Sequence, residues 1–536
     1  MALKLKLLSS LAKVFPGKIY GKTEKSMDVF RGTAASFQIA YKGNGKYTYK
    51  IKSPIAKYIK AYDVGFVNSD LPLYESCNDG RYQHTQKGLF PDPLFPKKQR
   101  VIKAKDTNQA LWLEINLPQD VKCGKYDIEI IFSGENESVS ITKKINVQKV
   151  IIKNREITFT QWFHTDCIAS AHKVEIYSEK HWELIKKYML LATEHGLNTV
   201  LVPVLTPPLD TEIGSERPTT QLVDIYIKNG DYVFDFARFH RFVDLAFECG
   251  YKNLEINHMF TQWGAKCAPK VMAYENGEYK RIFGWETCAS SDEYATFLRA
   301  LIPALIKEIQ ARGIENDRVF FHISDEPNDT CIDTYKQASA ILKPLVKGYK
   351  VIDALSHLEI YNQGLVEVAV CGIDAIDAFI KAGVPELWGY YCCGQTWEVS
   401  NRFLSMSSER NRIIGTQIFK YDLDGFLQWG YNFYYSQLSR RKINPYKVTD
   451  AGGAFPSGDP FSVYPYKNEA IPSLRLKVFK DALDDVSLLC MLKEKIGKEE
   501  AVKLLETVAG KEITFRQYPE NEEFFKKLRA AIAKAL

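Results

Sequence analysis

Between Thr158 and Tyr435 the chain alternates between strand-like and helix-like stretches, and this rhythm constrains the fold more than any other feature. Eight segments read as strands: ITFTQWFHTDC, NTVLVPVLTPP, NLEINHMF, VFFHISDEP, KVIDALSHL, VEVAVCGID, ELWGYYCCG and DGFLQWGYNFYY. Their apolar runs suit strands covered on both faces, as in parallel sheets flanked by helices. Helical stretches such as EYATFLRALIPALIKEIQARG lie between them. Eight strands within roughly 280 residues fit a (β/α)8 barrel. A doubly wound open sheet is the alternative. No GxGxxG follows the first strand, which weighs against a dinucleotide-binding version.

The flanking segments read differently. Residues 1–150 hold β-rich runs such as RGTAASFQIAYKG, ALWLEINLP and GKYDIEIIFSG, separated by Gly, Pro and Asn turns, and predict an antiparallel β-sandwich. A Pro- and Gly-rich insertion inside it, CNDGRYQHTQKGLFPDPLFPKK, is long enough to predict a functional loop or one packed on a neighbour. Residues 151–446 make the barrel, which includes two hairpin-like excursions and a helix near SNRFLSMSSERNRIIG. Residues 447–536 make a Gly/Pro-rich link followed by amphipathic helices. The fold class is therefore multidomain α/β, a TIM-like barrel with an N-terminal β-sandwich and a C-terminal helical region.

Composition narrows the partners. The net charge of +6 over 536 residues is small, and no basic run resembles a nucleic-acid footprint. No apolar stretch has the length of a membrane span. The start, MALKLKLLSSLAKVFPG, is basic and briefly apolar, but Lys13 interrupts it and no small-residue cleavage site follows. A cytoplasmic location is the expectation, with secretion through a removed leader as the alternative. Eleven scattered cysteines are an odd number and fit free thiols. Without zinc spacing, a phosphate-binding loop or GxSxG, the sequence calls for no metal, no cofactor and no serine nucleophile.

On a barrel, chemistry collects at the carboxyl ends of the strands. There the fourth strand runs, in RVFFHISDEPN, into the adjacent acids Asp325 and Glu326, and Pro327 stops it. Adjacent residues of a regular strand face opposite ways, so both acids can enter one cleft only if the strand ends there. An exposed turn is the bland alternative. Aromatic and polar groups at the other strand ends are Trp162, His164, His258, Trp263, Tyr390, Tyr391, Trp429 and Asn432. Carboxyls handle protons while aromatic faces stack on pyranose rings, so the set predicts a glycan or glycoconjugate substrate. His322 is placed behind the acids. Oligomeric state is not legible.

The chain also resembles glycoside hydrolase family 123. The likeness rests on LFPDPLFP, LWLEINLPQDVKCGKYDIEI, TQWFHTDCIA, SDEP, GFLQWGYNFY, and GDPFSVYP followed by IPSLRLKVFKDALDD, which occur in order along nearly the whole chain. The resemblance implies a sandwich, a barrel and a helical tail, with removal of β-linked N-acetylhexosamine, N-acetylgalactosamine first. It also implies substrate-assisted catalysis through an oxazolinium, with Glu326 as acid/base and Asp325 holding the acetamide. A non-catalytic carbohydrate-binding barrel, and a glycosidase pairing Glu326 with a distant carboxylate such as Asp166, are the alternatives.

Overall fold

The computed structural model describes residues 2–153, 157–327 and 330–536. Asn328, the last residue of the RVFFHISDEPN stretch, lies outside them. Eight parallel strands close on themselves: β1 (Thr158–Gln161), β2 (Thr199–Val202), β3 (Asn253–Ile256), β4 (Val319–Phe321), β5 (Lys350–Leu355), β6 (Val368–Gly372), β7 (Leu387–Tyr390) and β8 (Gly425–Gln428). Thr158 to Gln161 pair in register with Gly425 to Gln428, so β1 meets β8. That closure is what separates a barrel from the doubly wound alternative, and the expected fold class stands.

The barrel interior is filled, not hollow. Trp162, Phe320, Ile352, Val370, Trp388 and Leu427 make one buried cluster along its axis. Phe320 meets Trp388 edge to face at 5.0 Å. Trp388 lies so close to β8 that a Cβ on Gly425 would fall 2.3 Å from its ring. Only glycine fits there. Outside the strands, helices such as Glu179–Glu194 and Asp292–Ala311 turn apolar faces onto the wall, each opened by a serine cap. The helix expected near residues 400–415 begins later, after the cap Ser407, as Ser408–Arg412, and a second helix, Ile414–Lys420, follows it.

The two excursions after β2 and β3, Asp224–Lys228 with Asp231–Asp235 and Val271–Glu275 with Glu278–Phe283, join as one four-stranded sheet. The N-terminal region packs two five-stranded sheets face to face around Phe37, Ile39, Leu111, Ile128 and Ile130. It is not wholly antiparallel, because Ser138–Ile151 runs parallel to Ser26–Arg31.

Buried ion pairs tie these layers together. Asp92 lies on the strand Gly88–Pro96, and Arg475 on the long helix Leu474–Ile496. Arg475 Nε and a terminal nitrogen donate to the two Asp92 oxygens at 2.9 and 2.8 Å, and the Tyr464 hydroxyl adds a bond at 2.5 Å. Three separated sequence blocks, LFPDPLFP, GDPFSVYP and IPSLRLKVFKDALDD, thus meet at one carboxylate. The long insertion also packs on the barrel, where Asp79 pairs with Arg410 of the helix Ser408–Arg412 at 2.7 Å. No helix of the described residues is long and apolar enough to cross a membrane. Asp92→Ala leaves a buried guanidinium without its partner and should cost about 3–5 kcal/mol, read by denaturant unfolding. Adding Arg475→Met should recover part of that loss, whereas simple additivity would show that the two are not coupled.

Candidate active site

Strand β4 stops after three residues because a side chain captures the backbone beyond it. Asp353, on β5, accepts the amides of Ile323 and Ser324 through Oδ2 at 3.1 and 3.2 Å, together with the Tyr335 hydroxyl at 2.5 Å. Those amides are then lost to a sheet ladder, and the chain turns. The turn places Glu326 in the left-handed region, with φ of 43°, a costly conformation for a non-glycine residue. Asp325 and Glu326 thereby face the same cavity.

Beneath them lies a buried charge cluster. His322 Nδ1 donates to Asp353 Oδ1 at 2.8 Å and Nε2 donates to Glu255 Oε1 at 2.7 Å. Burial alone would depress the imidazole, but the two carboxylate bonds lift it to about 9. Glu255 also accepts from the Thr160 hydroxyl and from Trp162 Nε1, at 2.5 and 2.6 Å. His258 stacks on His322 with centroids 4.2 Å apart. Burial, and then the His322 charge, push His258 well below the ordinary histidine range. His258, His322 and Asp353 are close enough to suggest a cation site. However, both His322 nitrogens are already committed as donors.

The cavity, about 120 Å³, is lined by Trp162, Asp210, Gln262, Trp263, Asp325, Glu326, Tyr390, Trp429 and Phe455, with Cys392 and Cys393 at one side. Burial, then the neighbouring Glu326, raises Asp325 well above the usual carboxylate range. Burial raises Glu326 too, opposed by the Tyr390 hydroxyl, which donates to its Oε1 at 2.8 Å. Two acids so close cannot both ionise cheaply, so the pair retains a proton towards neutral pH. Trp263 is 43% exposed, also left-handed (φ 56°), and donates its amide to the Asp325 carbonyl at 3.0 Å. Trp429 is aimed by Asp459, which accepts its indole N–H at 2.9 Å.

Four aromatic candidates therefore reach the cavity: Trp162, Trp263, Tyr390 and Trp429. Four other candidates do not line it. His164 and Asn432 bond reciprocally, His164 N–H to Asn432 Oδ1 and Asn432 Nδ2 to His164 O, both at 2.9 Å, and so fasten β1 to β8. Burial and the adjacent Arg217 hold His164 at about 3, so it is neutral. Its Nδ1 accepts from Arg217, and Nε2 donates to the Trp429 carbonyl. His258 is stacked inside the barrel. Tyr391 is buried in the wall against Phe426 at 4.9 Å. Asp166, the distant carboxylate considered as a partner for Glu326, is spent on Arg217 through bonds of 2.9 and 2.6 Å. Asp210, Gln262 and Phe455 were missed. Asp210 had a signal, since it follows the Pro-Pro at the carboxyl end of the second strand.

A family model described as the catalytic domain of glycoside hydrolase 123 matches residues 162–492, more than half the chain. A solved family 123 glycoside hydrolase from Clostridium perfringens, described for glycolipid glycan hydrolysis, superposes with a TM-score of 0.75 at 13% identity, over 100% of this chain and 97% of that one. A Parabacteroides merdae β-glucuronidase shows a weaker likeness (TM-score 0.32, 12% identity, 89% of this chain and 51% of that one). A Dictyoglomus thermophilum β-D-glucuronidase is comparable (TM-score 0.35, 9% identity, 85% and 68%). No curated protein sequence matches the chain. The match over the barrel, around a cavity built on two adjacent carboxyls, shows that the chain belongs to glycoside hydrolase family 123, a family of glycosidases.

Proposed function

We propose that this glycosidase removes β-linked N-acetylhexosamine, N-acetylgalactosamine first, with retention of configuration and with the substrate's own acetamide as nucleophile. One observation carries the reading: Asp325 and Glu326 are consecutive residues turned into one cavity. Retaining glycosidases that use a protein nucleophile set two carboxyls about 5 Å apart across the sugar. Consecutive acids instead suit one face, with one reaching the glycosidic oxygen and the other the C2 substituent.

Protonated Glu326 donates to the leaving oxygen while the acetamide carbonyl oxygen attacks C1, giving an oxazolinium and the free alcohol. Asp325, ionised, accepts the acetamide N–H and balances the positive charge. Glu326, now a carboxylate, deprotonates water. That water attacks C1, opens the ring and restores the acetamide. Burial and their mutual proximity leave one proton shared by the two acids towards neutral pH. An acetamide N–H against Asp325 draws the negative charge there and leaves the proton on Glu326. The His322 cation below Asp325 assists by lowering its pKa. Trp162, Trp263 and Trp429 supply ring-stacking faces.

Glu326→Gln should lower turnover of poor leaving groups by about 10²–10⁴-fold and of dinitrophenyl glycosides far less, because the latter need little protonation. Equal losses on both would remove Glu326 from the acid role. Tyr390→Phe deletes the hydrogen bond that holds the Glu326 carboxyl down, so Glu326 keeps its proton to higher pH. The alkaline limb of kcat/KM should move upward, and a downward move would contradict the assignment.

A further inference from the structure

Three residues lining the cavity hold left-handed backbone although none is glycine: Glu326, Trp263 and Asp210, the last with φ of 42°. Strain of this kind persists only where the surroundings enforce it, and it gathers at working sites. For Asp210 the enforcement comes from the loop after β8. Leu438 N–H donates to Asp210 Oδ2 at 3.0 Å and the Ser439 hydroxyl donates to the Asp210 carbonyl at 2.6 Å. In return, Glu212 N–H donates to the Leu438 carbonyl at 2.9 Å. Leu438 and Ser439 are themselves left-handed, at 57° and 54°. Two loops, from β2 and β8, thus interlock to aim one carboxylate, and Oδ1 accepts no hydrogen bond from any described residue.

We propose that Asp210 is a substrate-contacting residue whose Oδ1 accepts a hydrogen bond from a ring hydroxyl of the bound sugar, and so helps select which sugar the cavity takes. The inference rests on the cavity holding the cleaved sugar as described above. Glu326 attends C1 and Asp325 attends C2, which leaves hydroxyls on C3, C4 and C6 for a third carboxylate. A carboxylate built to receive a hydroxyl discriminates strongly, because the analogue without it leaves the charge unpaired. Burial also raises this carboxyl to about 6, in keeping with its facing an enclosed space.

The test is a cycle between protein and substrate. Wild type is first assayed on β-GalNAc, β-GlcNAc and plain β-hexoside aryl glycosides, and 3-, 4- and 6-deoxy versions are made of whichever it cleaves. Asp210→Asn keeps an oxygen for Leu438 and should retain the wild-type melting temperature. It should lose about 10- to 100-fold in kcat/KM on the parent but only a few-fold on the one deoxy sugar that lacks the bound hydroxyl. Asp210→Ser provides the same comparison if the asparagine variant melts early. Equal losses on all the deoxy sugars, or none on the parent, would overturn the proposal. So would loss of all turnover restored by azide, since that marks a nucleophile. Preference for a plain hexoside would instead defeat the acetamide reading while leaving this cycle intact.

Discussion

The site depends on one buried interaction, the clamp of His322 between Glu255 and Asp353. A charge so far from water is tolerated only when paired and fully hydrogen-bonded. Here each ring nitrogen has a carboxylate, and the carboxylates are filled by Thr160, Trp162, Tyr335 and two backbone amides. The two amides matter most. By taking them, Asp353 ends β4 and turns the next two residues, both acids, into the cavity. The same clamp fixes Trp162 and lays a positive charge under Asp325. Support for the chemistry and the shape of the strand end therefore have a single cause.

The surrounding layers act on the rim. The sandwich insertion pairs with Arg410, while Tyr74 donates to the carbonyl of Ala454, beside the cavity residue Phe455. Asp459 aims Trp429 from the segment after β8. In this arrangement the barrel supplies the acids and the flanking regions hold the walls. The C-terminal helix reaches the same segment through Arg475, which donates to the Gly458 carbonyl beside Asp459 at 2.6 Å.

The barrel was legible because buried parallel strands write continuous apolar runs that helical segments punctuate. The acid pair was legible because two carboxylates against a proline cannot continue a strand. Side-chain direction at the other strand ends was not. Trp162 and His164 share a strand end, yet Trp162 reaches the cavity while the His164 ring turns to Arg217 and the Trp429 carbonyl, because regular alternation has already lapsed there. The β4 histidine is conspicuous just before the acids, but its partners Glu255 and Asp353 sit inside runs that read as plain core. The Pro-Pro before Asp210 marks the strand end but not the direction of its carboxylate, which is set by the Leu438 amide and the Ser439 hydroxyl more than two hundred residues later.

The central claim is that the sugar's acetamide does the work of a protein nucleophile, and a charged thiazoline analogue of the bicyclic intermediate tests it most directly. Its inhibition constant would be measured on wild type and on Asp325→Asn, beside the turnover of substrates with and without the acetamido group. The account predicts strong inhibition of wild type, much weaker inhibition of the variant, and no cleavage of sugars lacking the acetamide. Efficient hydrolysis of a plain β-galactoside, or a glycosyl adduct trapped on a carboxylate, would contradict it.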